Sequence, residues 1–151
     1  MNNAPVHGEN TSSRQLADVL TDPRGASVAE LTFGPDLLGP DFGVHYVEMG
    51  DDPDGETPVR FALVRYSPTD ASGSTAATPA SDQAYKFYAR PALLFVHGMT
   101  DYFFQDHVAR YFHEAGYAVY AIDMRKCGRA WREDQTWHHV TSQAIYDEDL
   151  S

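Results

Sequence analysis

The residues best placed for chemistry follow a short apolar run. Ala92 to Val96 are five consecutive apolar residues, and His97-Gly98 comes directly after them. The run predicts a strand covered on both faces, as in a parallel sheet with helices on each side. Gly98 permits a sharp turn, and Asp101 can cap a helix that follows. Together these elements aim backbone N–H groups at one place, which predicts a site for negative charge.

A dinucleotide-binding turn is one alternative for this stretch. A second apolar run, Tyr117 to Ile122, ends at Asp123, and an acidic residue at such a strand end contacts the ribose in dinucleotide-binding folds. That fingerprint requires three glycines, whereas Gly98 stands alone and precedes Met99 and two bulky aromatic residues. We therefore expect no dinucleotide and no other cofactor.

A metal site is a second alternative. The candidate ligands are the histidines at 97, 107, 113, 138 and 139. His113-Glu114 does not continue into a His-Glu-x-x-His motif, and adjacent His138 and His139 point apart on a regular helix or strand. The acidic run at 51–54 lacks the order of a calcium-binding loop. We expect surface or hydrogen-bonded histidines and no metal.

Charge and length limit the class of protein. The chain has 151 residues, enough for one domain, and a net charge of −11. Nucleic acids and anionic membranes require a basic surface, so neither is an expected partner. Seven acidic residues lie between Asp36 and Pro58, and four basic residues crowd into eight positions: Arg125, Lys126, Arg129 and Arg132. Both groups are interpreted as solvated faces.

Cys127 is the single cysteine of the chain, which excludes an intramolecular disulfide and fits a reducing compartment. Its basic neighbours can lower the pKa of a thiol, although a surface position beside a turn is the favoured interpretation. The N-terminal sequence has no signal-peptide pattern, and no window approaches 18 apolar residues. We expect a cytoplasmic protein without a membrane span.

The predicted organisation is a flexible tail over residues 1–27 and one α/β domain over residues 28–151, with a flexible insertion at 68–84. Alternating apolar residues predict an antiparallel hairpin of strands 42–48 and 59–66. Helical spacing over Phe103–Ala115, closed by Gly116, predicts a helix between two parallel strands in a right-handed βαβ unit. Thr141 can cap a last helix over Ser142–Leu150.

The ordered series of motifs resembles the N-terminal half of the α/β-hydrolase superfamily, in its serine aminopeptidase, monoacylglycerol lipase and lysophospholipase-like branch. The matching pieces are Leu94-Phe-Val-His-Gly98, Glu114-Ala-Gly-Tyr-Ala-Val119, Ile122-Asp-Met-Arg-Lys-Cys-Gly-Arg129 and Tyr146-x-x-Asp149-Leu150. The resemblance covers roughly residues 40–151. Lys126-Cys127 depart from the usual Asp-x-Arg-Gly-His-Gly-x-Ser pattern, which has Gly-His there.

The resemblance implies acyl hydrolysis of a small-molecule ester. The residue after His-Gly, here Met99, gives a backbone N–H to the oxyanion hole, where a fixed donor stabilises the tetrahedral intermediate. His97 and Gly98 shape the turn, and His97 is not the catalytic base. Further candidates for the substrate pocket are Asp101, Tyr102 and Phe103.

The nucleophile of that family sits on a Gly-x-Ser-x-Gly elbow, and none of the serines of this chain has that setting. The acid and histidine of the triad follow the elbow in chain order, so no triad can be assembled. We expect this chain alone to be inactive. It is either the N-terminal portion of a serine esterase or lipase-like hydrolase, or a non-catalytic piece that pairs with a complementary chain.

The family's strand order, 1-2-4-3-5, also has a structural consequence. The Ala92–Val96 strand pairs on one side with the Tyr117–Ile122 strand and on the other with a strand that is not in this sequence. An uncharged apolar edge is a template for aggregation, so we expect self-association of the isolated chain.

Overall fold

The computed structural model describes residues 31–68 and 90–151. The predicted flexible tail over 1–27 lies outside the described residues, as does the predicted insertion apart from Pro68. The chain divides into two units, Met1–Leu31 and Thr32–Ser151. All elements given below belong to the second unit.

A mixed sheet organises this unit. Its strands are β1 (Gly34–Asp36), β2 (Gly39–Gly50), β3 (Val59–Tyr66), β4 (Ala92–Val96) and β5 (Ala118–Asp123). Their spatial order is β1-β2-β3-β5-β4, and the β4–β5 pair is parallel while the others are antiparallel. The helices of the described residues are α1 (Asp106–Glu114) and α2 (Asp147–Leu150), with 3₁₀ turns at Gly128–Ala130 and Gln143–Tyr146. The predicted mixed α/β class is confirmed.

The predicted antiparallel hairpin is confirmed as β2 and β3. Val44 pairs with Val64 and Phe42 pairs with Tyr66, and all four side chains are buried. Because successive side chains of a strand alternate between faces, these apolar positions share one face of the sheet. On β3 the opposite face is covered as well, since Phe61 and Arg65 are buried there.

The predicted βαβ unit is also present, with a shorter helix. Helix α1 begins at Asp106, and Gln105 is its N-cap residue without a side-chain capping bond. The Phe103 N–H donates a hydrogen bond to Asp123 Oδ1 at 2.8 Å, and this bond holds residue 103 outside the helix. The prediction that Asp101 caps this helix is therefore wrong. Gly116 has a φ of 100°, as the predicted helix end requires.

The main core lies between the sheet and α1. Phe42, Tyr66, Phe103, Ala109 and Val119 are among its buried residues, and Leu93 and Phe95 of β4 pack against it. The other face of β4 is open, because Leu94 is 50% exposed and Val96 is 44% exposed. The prediction that β4 is covered on both faces is wrong for the described part of the chain. Here β4 is an edge strand that pairs with β5.

The C-terminal segment is less regular than predicted. In place of one helix over 142–150, a 3₁₀ turn at Gln143–Tyr146 leads into α2. Ser142, not Thr141, is the capping residue, since its Oγ accepts a hydrogen bond from the Ala144 N–H at 3.3 Å. Thr141 instead donates its hydroxyl to Asp54 at 2.5 Å.

Candidate functional site

The site lies where the two parallel strands end. Residues 97–104, which follow β4, are called the β4 turn, and residues 124–140, which follow β5, are called the β5 loop. The carboxyl ends of neighbouring parallel strands meet at one edge of a sheet, where α/β folds commonly bind ligands. The βαβ topology therefore brings these two segments together.

His97 joins the β4 turn to the β5 loop. Its buried ring has Nδ1 2.7 Å from the Gly98 carbonyl oxygen and Nε2 3.0 Å from the Met124 nitrogen. A backbone N–H can only donate, so Nε2 accepts from Met124 and Nδ1 donates to Gly98. This pair of bonds defines a neutral imidazole with its proton on Nδ1. His97 thus has the turn-shaping position expected of it, and no lone pair left for a catalytic base.

The bond from His97 also orients the peptide between Gly98 and Met99. A trans peptide is planar, so its N–H points away from its C=O. Fixing the Gly98 carbonyl against His97 therefore fixes the Met99 N–H in the opposite direction. Met99 as a whole residue is 73% exposed. The backbone, and not the side chain, is the held part of this residue.

Gly98 contributes less than expected to the turn. Its φ lies outside the left-handed region, which is occupied instead by Thr100 with a φ of 62°. A Cβ added at Gly98 would have no atom within 4 Å. Neither backbone strain nor close packing requires glycine here in this structure.

A cavity of about 260 Å³ lies between the β4 turn and the β5 loop. Its lining residues come from the turn, the loop and the C-terminal 3₁₀ segment: His97, Gly98, Met99, Met124, Cys127, His138, Val140, Gln143 and Tyr146. Three predicted site residues, at 97, 98 and 99, are therefore together on one wall. Since Gly98 and Met99 are exposed, the cavity reaches solvent beside them.

Asp101, Tyr102 and Phe103 do not line this cavity. Phe103 is buried in the core, with its ring 5.2 Å from that of Phe95, so its assignment to the substrate pocket is wrong. Asp101 accepts a hydrogen bond from the Tyr102 N–H at 2.8 Å. The Tyr102 ring lies 5.5 Å from the Phe104 ring. These residues shape the β4 turn from outside the cavity.

Arg129 stands at the centre of a buried ionic cluster, called the Arg129 cluster, with Asp36 and Asp123. Its guanidinium donates to both carboxyl oxygens of Asp36, at 2.5 and 3.0 Å, and to Asp123 Oδ2 at 2.8 Å. It also donates to the Phe103 carbonyl at 2.8 Å. Asp123 in turn accepts the N–H groups of Phe103 and Arg129. The cluster ties β1, the β4 turn and the β5 loop to the end of β5.

Arg125 and Lys126 are buried as well. Arg125 donates to Asp149 Oδ1 at 2.7 Å and to Glu148 Oε2 at 2.9 Å. Lys126 Nζ lies 2.6 Å from Asp52 Oδ2 and 2.9 Å from Glu56 Oε2. Together with the Arg129–Asp36 pair, these contacts overturn the interpretation of the acidic and basic groups as solvated faces. Much of the acidic segment neutralises the basic one.

Lys126 has a φ of 60°, in the left-handed region where side chains other than glycine are strained. The carboxylates of the β2–β3 turn hold its ammonium group, which can offset that strain. The same contacts act on the acids: bonds from Thr136 first, and then from Lys126, hold the pKa of Glu56 down at about 2. The turn and the β5 loop are thus mutually stabilised.

Cys127 is 1% exposed, so the favoured interpretation as a surface cysteine is wrong. Burial raises the pKa of its thiol to about 11. This shift is opposite in direction to the lowering that basic neighbours can cause. Arg125 and Arg129 do not act on the thiol in this way because their charges are neutralised by Asp149, Asp36 and Asp123. The thiol lies 3.3 Å from His138 Nδ1 and 3.9 Å from the Tyr146 hydroxyl.

His138 is a site residue that the sequence offered only as a candidate metal ligand, and not as a partner of Cys127. Its ring stacks on Trp137 at 5.3 Å, and Trp137 stacks on Trp131 at 5.3 Å. Its backbone has a φ of 58° and its N–H is donated to the Lys126 carbonyl at 2.9 Å. The signal in the sequence was the neighbouring tryptophans, which can fix an imidazole ring; the distance to Cys127 was not readable from spacing.

Two other kinds of site are absent from the described residues. Within residues 31–68 and 90–151, no group of three or more histidine, cysteine, aspartate or glutamate side chains is arranged to hold a metal ion. In the same part of the chain, no helix has the length and apolar character needed to cross a membrane.

The comparisons with known proteins give no relative. No protein-family model, no curated protein and no solved structure matches this chain.

Proposed function

We propose that this chain is the N-terminal part of a serine ester hydrolase with the α/β-hydrolase fold. In this proposal the Met99 N–H is one donor of the oxyanion hole, and the substrate is a small-molecule ester. The observation that carries the proposal is the β4 turn, where His97 fixes the Gly98–Met99 peptide at the mouth of a cavity. A preorganised N–H at such a place stabilises the charge of a tetrahedral intermediate.

The strand arrangement supports the proposal. The family order 1-2-4-3 corresponds to an antiparallel hairpin followed in space by the later and then the earlier strand of a βαβ unit. The order β2-β3-β5-β4, with β4 and β5 parallel, agrees with it. The short strand β1 extends the sheet beyond β2.

The β5 loop gives further support. The family pattern has glycine at the position of Lys126, and Lys126 has a left-handed φ. It also has glycine at Gly128, where an added Cβ would lie 2.4 Å from Tyr102 Cβ and 2.6 Å from Asp123 Oδ2. The backbone of this loop therefore has the conformational demands that explain the pattern, although one of its glycines is replaced.

The proposed reaction requires a serine nucleophile from outside these 151 residues, on a following segment or on another chain. The first test reads the coding sequence beyond codon 151 in all three frames for Gly-x-Ser-x-Gly. A fluorophosphonate probe should not label residues 1–151 alone, and it should label the polypeptide that includes the elbow. Labelling of the isolated chain would contradict the assignment of the nucleophile elsewhere.

The role of Met99 is then tested in the assembled enzyme with p-nitrophenyl butyrate. Met99→Pro removes the N–H and should lower kcat by about 10²–10³-fold. Met99→Leu keeps the N–H and serves as the control, with kcat expected within roughly twofold because the side chain is exposed. Equal losses in the two variants would assign the effect to the side chain and reject the oxyanion role.

A non-catalytic piece that pairs through β4 is the second candidate function. It is favoured by the exposed edge, where Leu94 and Val96 leave an uncharged apolar surface on a strand that pairs only with β5 among the described strands. Leu94→Lys should reduce self-association measured by light scattering, whereas Tyr111→Lys, at a residue of α1 that is 68% exposed, should not. An unchanged mass for Leu94→Lys would remove this edge as the interface.

A further inference from the structure

The Cys127–His138 pair is a chemical group that the proposed hydrolase does not use. The Sγ atom lies 3.3 Å from His138 Nδ1, within reach of a hydrogen bond that involves sulfur. Both residues line the cavity of about 260 Å³ that opens beside Gly98 and Met99. A nucleophile within reach of a base, with the base oriented by a third group, is the arrangement found in covalent catalysis.

The third group here is aromatic. The Trp137 ring lies nearly parallel to the imidazole, with an interplanar angle of 10°, and Trp137 is itself stacked on Trp131. The backbone N–H of His138 is fixed on the Lys126 carbonyl, next to Cys127 in the chain. The imidazole therefore has a held ring plane and a held backbone opposite the thiol.

The protonation states fit a neutral pair. Burial raises the pKa of Cys127 to about 11, so the resting thiol keeps its proton. Burial lowers the pKa of His138, so the imidazole is neutral and can accept that proton at Nδ1. Such a pair needs the base at the moment of attack, in contrast to a preformed thiolate.

The cavity can hold a small substrate beside the thiol. Since a water molecule takes up about 30 Å³ in the liquid, a volume of about 260 Å³ has room for a short acyl group. Its lining includes Met99, Met124, Val140 and Tyr146, which offer an apolar surface near the thiol. A short acyl group fits this lining.

We propose that Cys127 is an acyl acceptor for small activated esters, with His138 as its general base. The Cys127 Sγ attacks the acyl carbon as His138 Nδ1 takes the thiol proton. The new S–C bond replaces the ester C–O bond, and the proton passes from His138 to the departing oxygen. The products are S-acyl-Cys127 and an alcohol or phenol. This site does not depend on the proposed hydrolase function, since it needs no serine nucleophile.

The test follows acetylation of the full chain by p-nitrophenyl acetate at pH 7, with intact mass and peptide mapping as readouts. The key measurement is the ratio of the Cys127 rates in the native and the urea-unfolded chain. A thiol that is only buried, with its pKa at about 11, would hold roughly two to three orders of magnitude less thiolate than an unfolded cysteine. We expect the native thiol to react faster than the unfolded one. A slower or equal native rate would overturn the proposal.

Variants separate the base from the nucleophile. Cys127→Ser should abolish thioester formation, and His138→Gln should lower the rate about 10²-fold or more. The matched control is His139→Gln, an exposed neighbour, whose rate should stay within roughly twofold. Circular dichroism checks the fold of each variant. If His138→Gln unfolds, the native-to-unfolded ratio of the unaltered chain still decides the outcome.

Discussion

The β4 turn and the β5 loop follow neighbouring parallel strands, yet they are held in different ways. The β5 loop carries buried ionic contacts, including the Arg129 cluster and the Lys126 contacts to the β2–β3 turn. The β4 turn is attached mainly through hydrogen bonds of His97 and of the Phe103 N–H. The β5 loop is thus held by buried ion pairs, and it supports a turn in which Gly98 and Met99 are exposed. The comparison indicates that the β5 loop holds the site in place, whereas the β4 turn carries the site residues that face solvent.

The largest effect is expected from removing the cation of the Arg129 cluster. Arg129→Met leaves Asp36 and Asp123 buried without their partner, and breaking a buried ion pair costs about 3–5 kcal/mol. The free energy of unfolding from urea denaturation measures the loss. The matched control is Arg132→Met, whose ion pair with Glu48 is more exposed and should contribute about 0–1 kcal/mol. Equal losses would contradict the difference between the buried and exposed pairs.

A pair of glycine substitutions compares the two segments directly. Gly128→Ala places a Cβ 2.4 Å from Tyr102 Cβ at a φ of 44°, and overpacking of this kind costs about 1–3 kcal/mol. Gly98→Ala meets no atom within 4 Å and should change the free energy of unfolding by less than about 1 kcal/mol. Thermal or urea unfolding measures both. A larger loss of unfolding free energy for Gly98→Ala than for Gly128→Ala would contradict the interpretation that the β5 loop is the more tightly packed segment.

The smallest effect is a pH dependence from Glu56. Its pKa is lowered from 4.5 to about 2 in the folded chain, first by Thr136 and then by Lys126. A carboxyl group with a lowered pKa stabilises the fold above its unfolded pKa, and this contribution is lost as the pH falls toward 2. Glu56→Gln should therefore flatten the dependence of stability on pH between about 4.5 and 2. Glu133→Gln, at an exposed loop residue, is the control, and equal slopes in the two variants would reject the role of Glu56.

The pattern of apolar residues predicted the hairpin and the βαβ unit, because alternation, continuous apolar runs and helical spacing are all local features of the sequence. Burial of the charged residues was not predictable in that way. Arg129 and Asp36 are 93 positions apart, and a local count of charges cannot show that two distant groups meet. The same limit applies to Asp101, which has the residue type and position of a helix cap, whereas the Phe103 N–H is bonded to Asp123.

The candidate site was predictable in part. The order of motifs identified the residues of the β4 turn that line the cavity, His97, Gly98 and Met99. It could not identify His138, because a contact with Cys127 depends on how the β5 loop folds back on itself. Phe103 was misassigned for a related reason: an aromatic residue near a turn can point into the core or into a pocket, and sequence spacing does not distinguish the two.

The Arg129–Asp36 contact has a consequence for the folding kinetics. It closes a segment of the chain that begins in β1 and ends in the β5 loop, so the entropy of loop closure must be lost before the contact forms. Local contacts in the β2–β3 hairpin can form without that loss. The ionic contact is then expected to form late in folding, and its removal should mainly accelerate unfolding while leaving the folding rate nearly unchanged. The Arg129 cluster is therefore expected to slow unfolding and so to lengthen the lifetime of the native state.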